Sequence, residues 1–389
     1  MIELIGSDPF LHDVTELPDL DNFFSPKGPL LEAIKLAAEL FGAKETWFLV
    51  GGTSCGVQAA ILATCSPGET IILMWNAHVS ATTGIVFAGA VPKYIVPEYN
   101  CDWDIEVGVI PSQVHIKLCH SNGIPLIVDE AHGAHFKFHP KMSKTALDQG
   151  ANIVIQSTHK VLSSLSQSSM LHISNNDYQI LIDRERLHKF IHILQTTSPS
   201  WLLLASLDAA RHQLSKISNT GLFDDAVISF SHDDEMDPLR ITIGGWGLGL
   251  SGFQANKKLD DDFGIVPELV STKSITLAFS EGTTREHVQI LVSGLKQLSN
   301  MFYSDEKELE NSISRNVKFG EVVEMGLSPR EEFLARVLLP QHIGVPVLVP
   351  GEVIGEGAVG YLQEIKNKGW FLIGAADPLP TILVCRKYY

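Results

Sequence analysis

Three apolar runs, each ending in a polar turn, constrain this chain more than anything else in it. Thr46-Trp47-Phe48-Leu49-Val50 runs into Gly51-Gly52-Thr53-Ser54-Cys55-Gly56. Ile124-Pro125-Leu126-Ile127-Val128 runs into Asp129-Glu130-Ala131-His132. Ile153-Val154-Ile155 runs into Gln156-Ser157-Thr158-His159-Lys160. Short β-branched and aromatic runs bounded by turn residues read as buried strands. Helical spacing fills the intervals, with helices expected at Leu30–Phe41, Val57–Cys65 and Ser80–Ala88 and further strands at Thr70–Met74 and Val91–Val96. Pro29 opens the first of these helices and Gly42 closes it. Strands alternating with helices imply an α/β fold on a mainly parallel sheet.

Each turn carries chemistry and also has a plainer reading. Glycines after a strand let backbone amides approach an anion, and Thr53 and Ser54 add hydroxyl donors. The same turn also fits a tight connection with no ligand. Dinucleotide binding would want an acid at the end of the next strand, which ends instead in Met74-Trp75-Asn76. Asp129 sits on the strand-end rim where α/β proteins bind ligands, or caps a helix. Lys160 either points at water or is a desolvated amine suited to Schiff-base chemistry. Together, an anion cradle, an Asp and a Lys suit a cofactor with a phosphate, a ring nitrogen and an aldehyde, which describes pyridoxal 5'-phosphate. His132, His135 and His139 lie in a stretch broken by glycine and proline, so a metal site is not expected.

Charge and cysteine usage narrow the classes. Lys and Arg number 29 against 45 Asp and Glu, a net charge of −16, which disfavours nucleic acid. The five cysteines are scattered without a CxxC pair, so a reducing compartment is expected. No long uncharged apolar run suggests a membrane span. The acidic N-terminus is neither a signal nor a transit peptide.

At these motifs the chain resembles the Orn/Lys/Arg decarboxylases of the aspartate-aminotransferase fold (fold type I). Gln156–Lys160 and Val128–Phe136 carry the resemblance most strongly. It continues through Leu49–Ala60, Thr197–Asp208, Asp237-Pro238-Leu239-Arg240 and Ile343–Glu352. The resemblance implies that Lys160 forms the internal aldimine, with Ser157 and His159 beside the cofactor phosphate. Thr53 and Ser54 would bind that phosphate, and His78 would stack on the pyridine ring. Asp129 would pair with the ring nitrogen, Ala131 would pack on the ring face, and His132 would lie close by. The implied reaction is decarboxylation of arginine, lysine or ornithine to agmatine, cadaverine or putrescine by a homodimer or higher oligomer. The cytoplasm is the expected compartment, or a plastid or other organelle if a targeting segment precedes Met1. The implied organisation is a cofactor-binding large domain at 1–215, a small αβ domain at 216–302 and a C-terminal decarboxylase domain at 303–389.

The chain departs from that family in three places. A segment with a Pro-Gly-His-Lys motif is missing ahead of Met1. Between the helix at Pro111–Val114 and the strand at Ile124 the family places a further strand. Here Ser112-Gln113-Val114 runs directly into His115–His120, so a central strand is expected to be deleted, roughly 30 residues with its connection. A third shortening joins Arg336 to Val337. The clean joins suggest skipped exons or a faulty gene assembly rather than drift. A catalytically dead product of the lineage, acting as a partner subunit or simply unstable, is therefore the alternative. Another fold-type-I reaction, aminotransfer or β-elimination, is the third reading.

Overall fold

The computed structural model describes residues 2–302 except 18, 102, 108–112, 140–141, 177–180, 218–236, 246–247 and 281. Beyond them it describes only Val337–Leu338, Pro346–Leu348 and Gly360. Most of the expected C-terminal domain, and Arg336 of the Arg336/Val337 join, therefore lie outside the described residues.

Two short helices, α1 (Ile2–Ile5) and α2 (Asp8–His12), precede α3 (Pro29–Phe41). Helix α3 has Pro at its first position and ends on Gly42 in the left-handed region, whose amide bonds back to Ala38 and Glu39. It buries Leu30, Ala37, Ala38 and Phe41, spaced to fall on one face. Strand β1 (Ala43–Leu49), helix α4 (Gly52–Thr64), β2 (Thr70–Met74), α5 (Val79–Ala88) and β3 (Val91–Ile95) follow. A small hairpin, β4 (Glu98–Asn100) and β5 (Ile105–Val107), leads to α6 (Gln113–Ser121). Then come β6 (Ile127–Asp129), α7 (Ala146–Gln149), β7 (Ile153–Gln156), α8 (Thr158–Val161) and β8 (Ser169–Ser174). Helices α9 (Arg184–Leu194) and α10 (Trp201–Ile217) complete this α/β unit.

The main sheet has four strands in the order β1-β8-β7-β6, while β2 and β3 pair separately as a parallel ribbon. Among the described residues only β6–β7 and β2–β3 are parallel ladders; β8 runs antiparallel to both β1 and β7. The expectation of a mainly parallel sheet is thus corrected to a mixed one. The link from α8 to β8 is a short irregular segment, and a short return between neighbouring strands can only reverse direction. Among the described residues no strand joins β6 to β2. Strands β7 and β8 are wholly buried, whereas β6 and β2 are half-buried or exposed throughout.

Helix α4 covers the main sheet, with Val57, Ala60 and Ile61 in one cluster with Leu49, Ile153, Ile155 and Leu171. It lies close because Gly56 has no side chain. A Cβ there would stand 2.6 Å from Leu49 Cδ1 and 2.9 Å from Ile155 Cγ2. Gly56→Ala is expected to cost about 1–3 kcal/mol by overpacking, read as a lower urea midpoint at unchanged slope.

Downstream, β10 (Leu269–Val270), β11 (Ser274–Ala278) and β9 (Arg240–Gly244) form an antiparallel sheet in that order. Helices α11 (Gly252–Phe263) and α12 (Arg285–Phe302) pack with it around Leu250, Leu259, Ile275 and Leu298. Leu277, Phe279 and Leu291 join Leu204, Leu207 and Leu214 of α10 in a shared core. That contact brings the small sheet against the large unit. Two strands at 337–348, β12 (Val337–Leu338) and β13 (Pro346–Leu348), pair with each other. Among the described residues no helix is long and apolar enough to cross a membrane.

Candidate active site

The ends of β6 and β7 lie side by side, with Asp129 opposite Ile155 in a parallel register. The pairing extends past the strands: the Glu130 amide donates to Ile155 O at 2.9 Å, and the Ser157 amide to Ala131 O at 3.3 Å. The Asp129 and Lys160 turns are therefore held against each other. Lys160 lies within the helical turn of α8 rather than at a bare strand end. Its Nζ donates to His132 Nε2 at 3.0 Å. His159 turns away and donates from Nδ1 to Ser168 O at 2.7 Å.

The glycine turn differs from its expected form. A loop through Gly56 with a helix from Val57 was the reading from sequence, but α4 begins at Gly52, where φ is +75°. Thr53 and Ser54 thus occupy the first helical turn, whose amides have no intrahelical acceptors. Glycine's low helix propensity hid this, and helix N-termini tolerate glycine better than interiors do. Thr53 Oγ1 lies 2.5 Å from Ser157 Oγ and 2.9 Å from Ser169 Oγ. These hydroxyls tie the cradle directly to the lysine turn. Thr158 Oγ1 is buried beside them with no hydrogen-bond partner among the described residues. A helix N-terminus, three linked hydroxyls and an unpartnered fourth form a donor set suited to a phosphate.

Burial and charge tune the titratable groups. Lys160 keeps solvent contact, yet surrounding protein lowers its pKa; Glu268 and Asp129 oppose this, and Arg240 adds to it. His132 is pushed down to about 3, first by burial and then by Arg240, Lys160, His135 and His159. It is therefore neutral at pH 7, and its Nε2 lone pair accepts from Lys160. Glu268 Oε1, 3.8 Å from that nitrogen, cannot form an ion pair with a neutral ring. Its attraction is to Lys160. His78 caps α5, accepting from the Ser80 amide at 3.2 Å, and its pKa is lowered by burial and by Lys160. Asp129 is raised by desolvation against the pull of Lys160 and the Ala131 amide. Because Asp129 remains exposed, solvent offsets part of that rise. Ser54 and Ala131 are half-buried, next along the chain to Thr53 and to the Asp129–Glu130 turn.

Glu130 ties the turns together. Its carboxylate accepts from the Ala146 amide at 2.8 Å and from Gln156 Nε2 at 2.7 Å. Burial raises its pKa from 4.5 to about 7, against those two hydrogen bonds. A carboxyl raised on folding favours the folded state fully below its unfolded value and loses that contribution as pH rises through its folded value. Stability should therefore fall between pH 4.5 and about 7, by about 3 kcal/mol. Glu130→Gln is expected to flatten this part of a urea-unfolding pH profile.

Two charged groups that sequence reasoning did not place in the site are supplied by the small sheet. Glu268 precedes β10, and Arg240 opens β9 within the Asp237-Pro238-Leu239-Arg240 stretch. Arg240 Nε is buried without a partner among the described residues. Asp237 anchors this stretch: its Oδ1 lies 3.1 Å from His135 Nε2 and accepts from the Leu239 amide at 3.0 Å. Arg240 was legible in principle, because its motif already carried the resemblance. Glu268 had no local signal. Among the described residues no group of three or more His, Cys, Asp or Glu is arranged to hold a metal ion.

Comparison with known proteins bears on the fold and the family. A solved lysine decarboxylase from Francisella novicida shares the fold at a TM-score of 0.76, with 18% identity over 96% of this chain and 74% of that one. The constitutive lysine decarboxylase of Escherichia coli superposes at 0.75, also at 18% identity, over 96% and 75% of the two chains. The arginine decarboxylase of Bacillus subtilis is 28% identical, covering 96% of this chain and 89% of its own. That alignment runs over 442 positions against 389 residues here, so the relative carries residues where this chain has none. The profile described as "Orn/Lys/Arg decarboxylase, major domain" matches residues 1–115 and 108–237. The two matched pieces overlap at residues 108–115, the stretch that contains the Val114/His115 join where a strand was expected to be missing. Since they span more than half of the sequence, the chain belongs to the Orn/Lys/Arg decarboxylase family of pyridoxal-phosphate-dependent, fold-type-I enzymes.

Proposed function

We propose that this chain releases carbon dioxide from a basic amino acid (arginine, lysine or ornithine) at a pyridoxal phosphate held by Lys160. The reading rests chiefly on the 3.0 Å contact between Lys160 Nζ and neutral His132, with Asp129 and Glu268 acting on the same amine. Thr53, Ser54, Ser157 and His159 would hold the phosphate end, and His78 and Ala131 would flank the ring. When bound, the cofactor supplies an electron sink for the breaking Cα–carboxylate bond.

The residues have separable tasks. Asp129 would keep a proton at the ring nitrogen by its negative charge. His132, with a pKa near 3, is too weak a base to deprotonate Lys160 and instead orients Nζ. Burial around Lys160 lowers the cost of its unprotonated, nucleophilic form. Arg240 offers an unpartnered donor to a substrate carboxylate. Glu268 offers a carboxylate to a cationic amine.

Glu268→Gln is expected to raise KM for the basic substrate by about tenfold or more, because a charge-assisted hydrogen bond is lost. Initial rates across substrate concentration check it. Carbon dioxide release from carboxyl-labelled arginine, lysine and ornithine tests the function itself. Release from one of them is expected. Cofactor incorporation with no release from any would favour the catalytically dead alternative, and amino-group transfer without release would favour aminotransfer.

A further inference from the structure

The β4–β5 hairpin of the large unit grips the small sheet at one turn. Asp104 and Thr272 are 168 positions apart in the chain, yet Asp104 Oδ2 accepts from the Thr272 amide at 2.7 Å and from the Thr272 hydroxyl. The other oxygen of Asp104 accepts from Tyr99 OH within the hairpin, which fixes the direction of the carboxyl group. Asp104 sits at φ +53°, in the left-handed region that aspartate, asparagine and glycine tolerate best. On either side, Ser274 Oγ donates to Trp103 O at 2.8 Å and Lys273 Nζ to Cys101 O at 2.7 Å. These contacts all land on the connection between β10 and β11. Bonds from the Gly245 and Gly252 amides tie that turn to its own sheet and helix, and the hairpin ties it to the large unit.

The same turn sets where Glu268 stands. The Ser271 amide donates to Ser274 O at 2.8 Å and closes the turn. Beyond it Val270 pairs with Ile275 and Leu269 with Thr276, and the Glu268 amide donates to Thr276 O at 2.8 Å. Strand β10 has only two residues, and so short a ladder is marginal without support. Glu268 Oε1 then lies 3.8 Å from His132 Nε2, the atom that accepts from Lys160 Nζ. We propose that Asp104 is a positioning residue: by latching the β10–β11 turn to the large unit, it holds Glu268 beside the Lys160 amine. The proposal rests on the reading of Glu268 and Lys160 as one site.

The test uses the full chain without added cofactor, and its Asp104→Gly and Asp104→Asn variants. Glycine keeps the backbone conformation and removes the carboxyl group. Asparagine keeps the conformation and one acceptor oxygen for Thr272, so it should behave like the parent chain. Amide hydrogen exchange is followed at Glu268 and Thr272, with Ile153–Gln156 as a control for the fold. Asp104→Gly is expected to speed both amides by about tenfold and to leave the control unchanged. Acetylation of Lys160 by acetic anhydride at pH 8, mapped by mass spectrometry, reports whether Glu268 stays in place. Burial lowers the pKa of Lys160, Glu268 and then Asp129 raise it, and Arg240 lowers it. Displacing Glu268 leaves more of the amine neutral, so Asp104→Gly should label about threefold faster. In a Glu268→Gln background Asp104→Gly should add nothing. Unchanged exchange, faster exchange in the control as well, unchanged labelling, the same gain in the Glu268→Gln background, or failure of Asp104→Asn to match the parent would each overturn the proposal. Neither readout needs decarboxylation, so a chain that gives both expected results and releases no carbon dioxide contradicts the proposed function alone.

Discussion

Inserting a five-residue apolar strand with its crossover between Val114 and His115 should raise the melting temperature by about 10 °C or more. The edges of β6 and β2 lack a shared partner among the described residues. Each ladder hydrogen bond formed there contributes about 1 kcal/mol net. Two short ladders and the newly covered apolar surface of Ile72 and Val128 together reach roughly 5 kcal/mol. Total stability of a folded protein is only about 5–15 kcal/mol, so the change is large. For the same reason the chain without the insertion is expected to melt below about 50 °C, if it melts cooperatively at all. Differential scanning calorimetry of both chains decides this. An insertion that leaves the transition unmoved would mean that β6 and β2 are not neighbours of a missing strand.

Replacing Lys160 has the largest expected effect on activity. Lys160→Ala removes the only amine that the α8 turn presents to His132 and Asp129, and turnover should fall by about 10³-fold or more. The hydroxyls of Thr53 and Ser157 remain bonded to each other in the variant, so weak, reversible retention of the cofactor should survive. The effect is thus separable from unfolding: far-ultraviolet circular dichroism should be unchanged while activity is lost. Equal activity in the variant would remove Lys160 from the chemistry.

Much of the fold was visible in local pattern. Gly42 as the stop of α3 and the apolar runs of β1, β6 and β7 follow from side-chain periodicity and capping. The expected loss of a strand came from the family resemblance, because Ser112–Val114 passes directly into His115–His120. Among the described residues β6 pairs on one edge only. Less was visible where tertiary contacts decide. The direction of β8 depends on the length of a turn, and the start of α4 at Gly52 contradicts glycine's intrinsic preference. Glu268 reaches His132 across more than a hundred residues of chain, through the packing of Leu277 and Phe279 on α10. No window on the sequence contains that contact. Lys160 was singled out by type and position, and the resemblance placed His132 near the cofactor, but the neutrality of His132 was not legible, because its lowered pKa arises from burial and from Arg240.

Lys160 is proposed as the amine that holds the cofactor. The most direct measurement is incubation of the intact chain with pyridoxal phosphate, reduction with borohydride and peptide mapping by mass spectrometry. The expected result is a single stable adduct on the peptide containing Lys160, absent from Lys160→Ala. An adduct on Lys137 or another lysine with Lys160 unmodified, or no adduct at saturating cofactor, would contradict it.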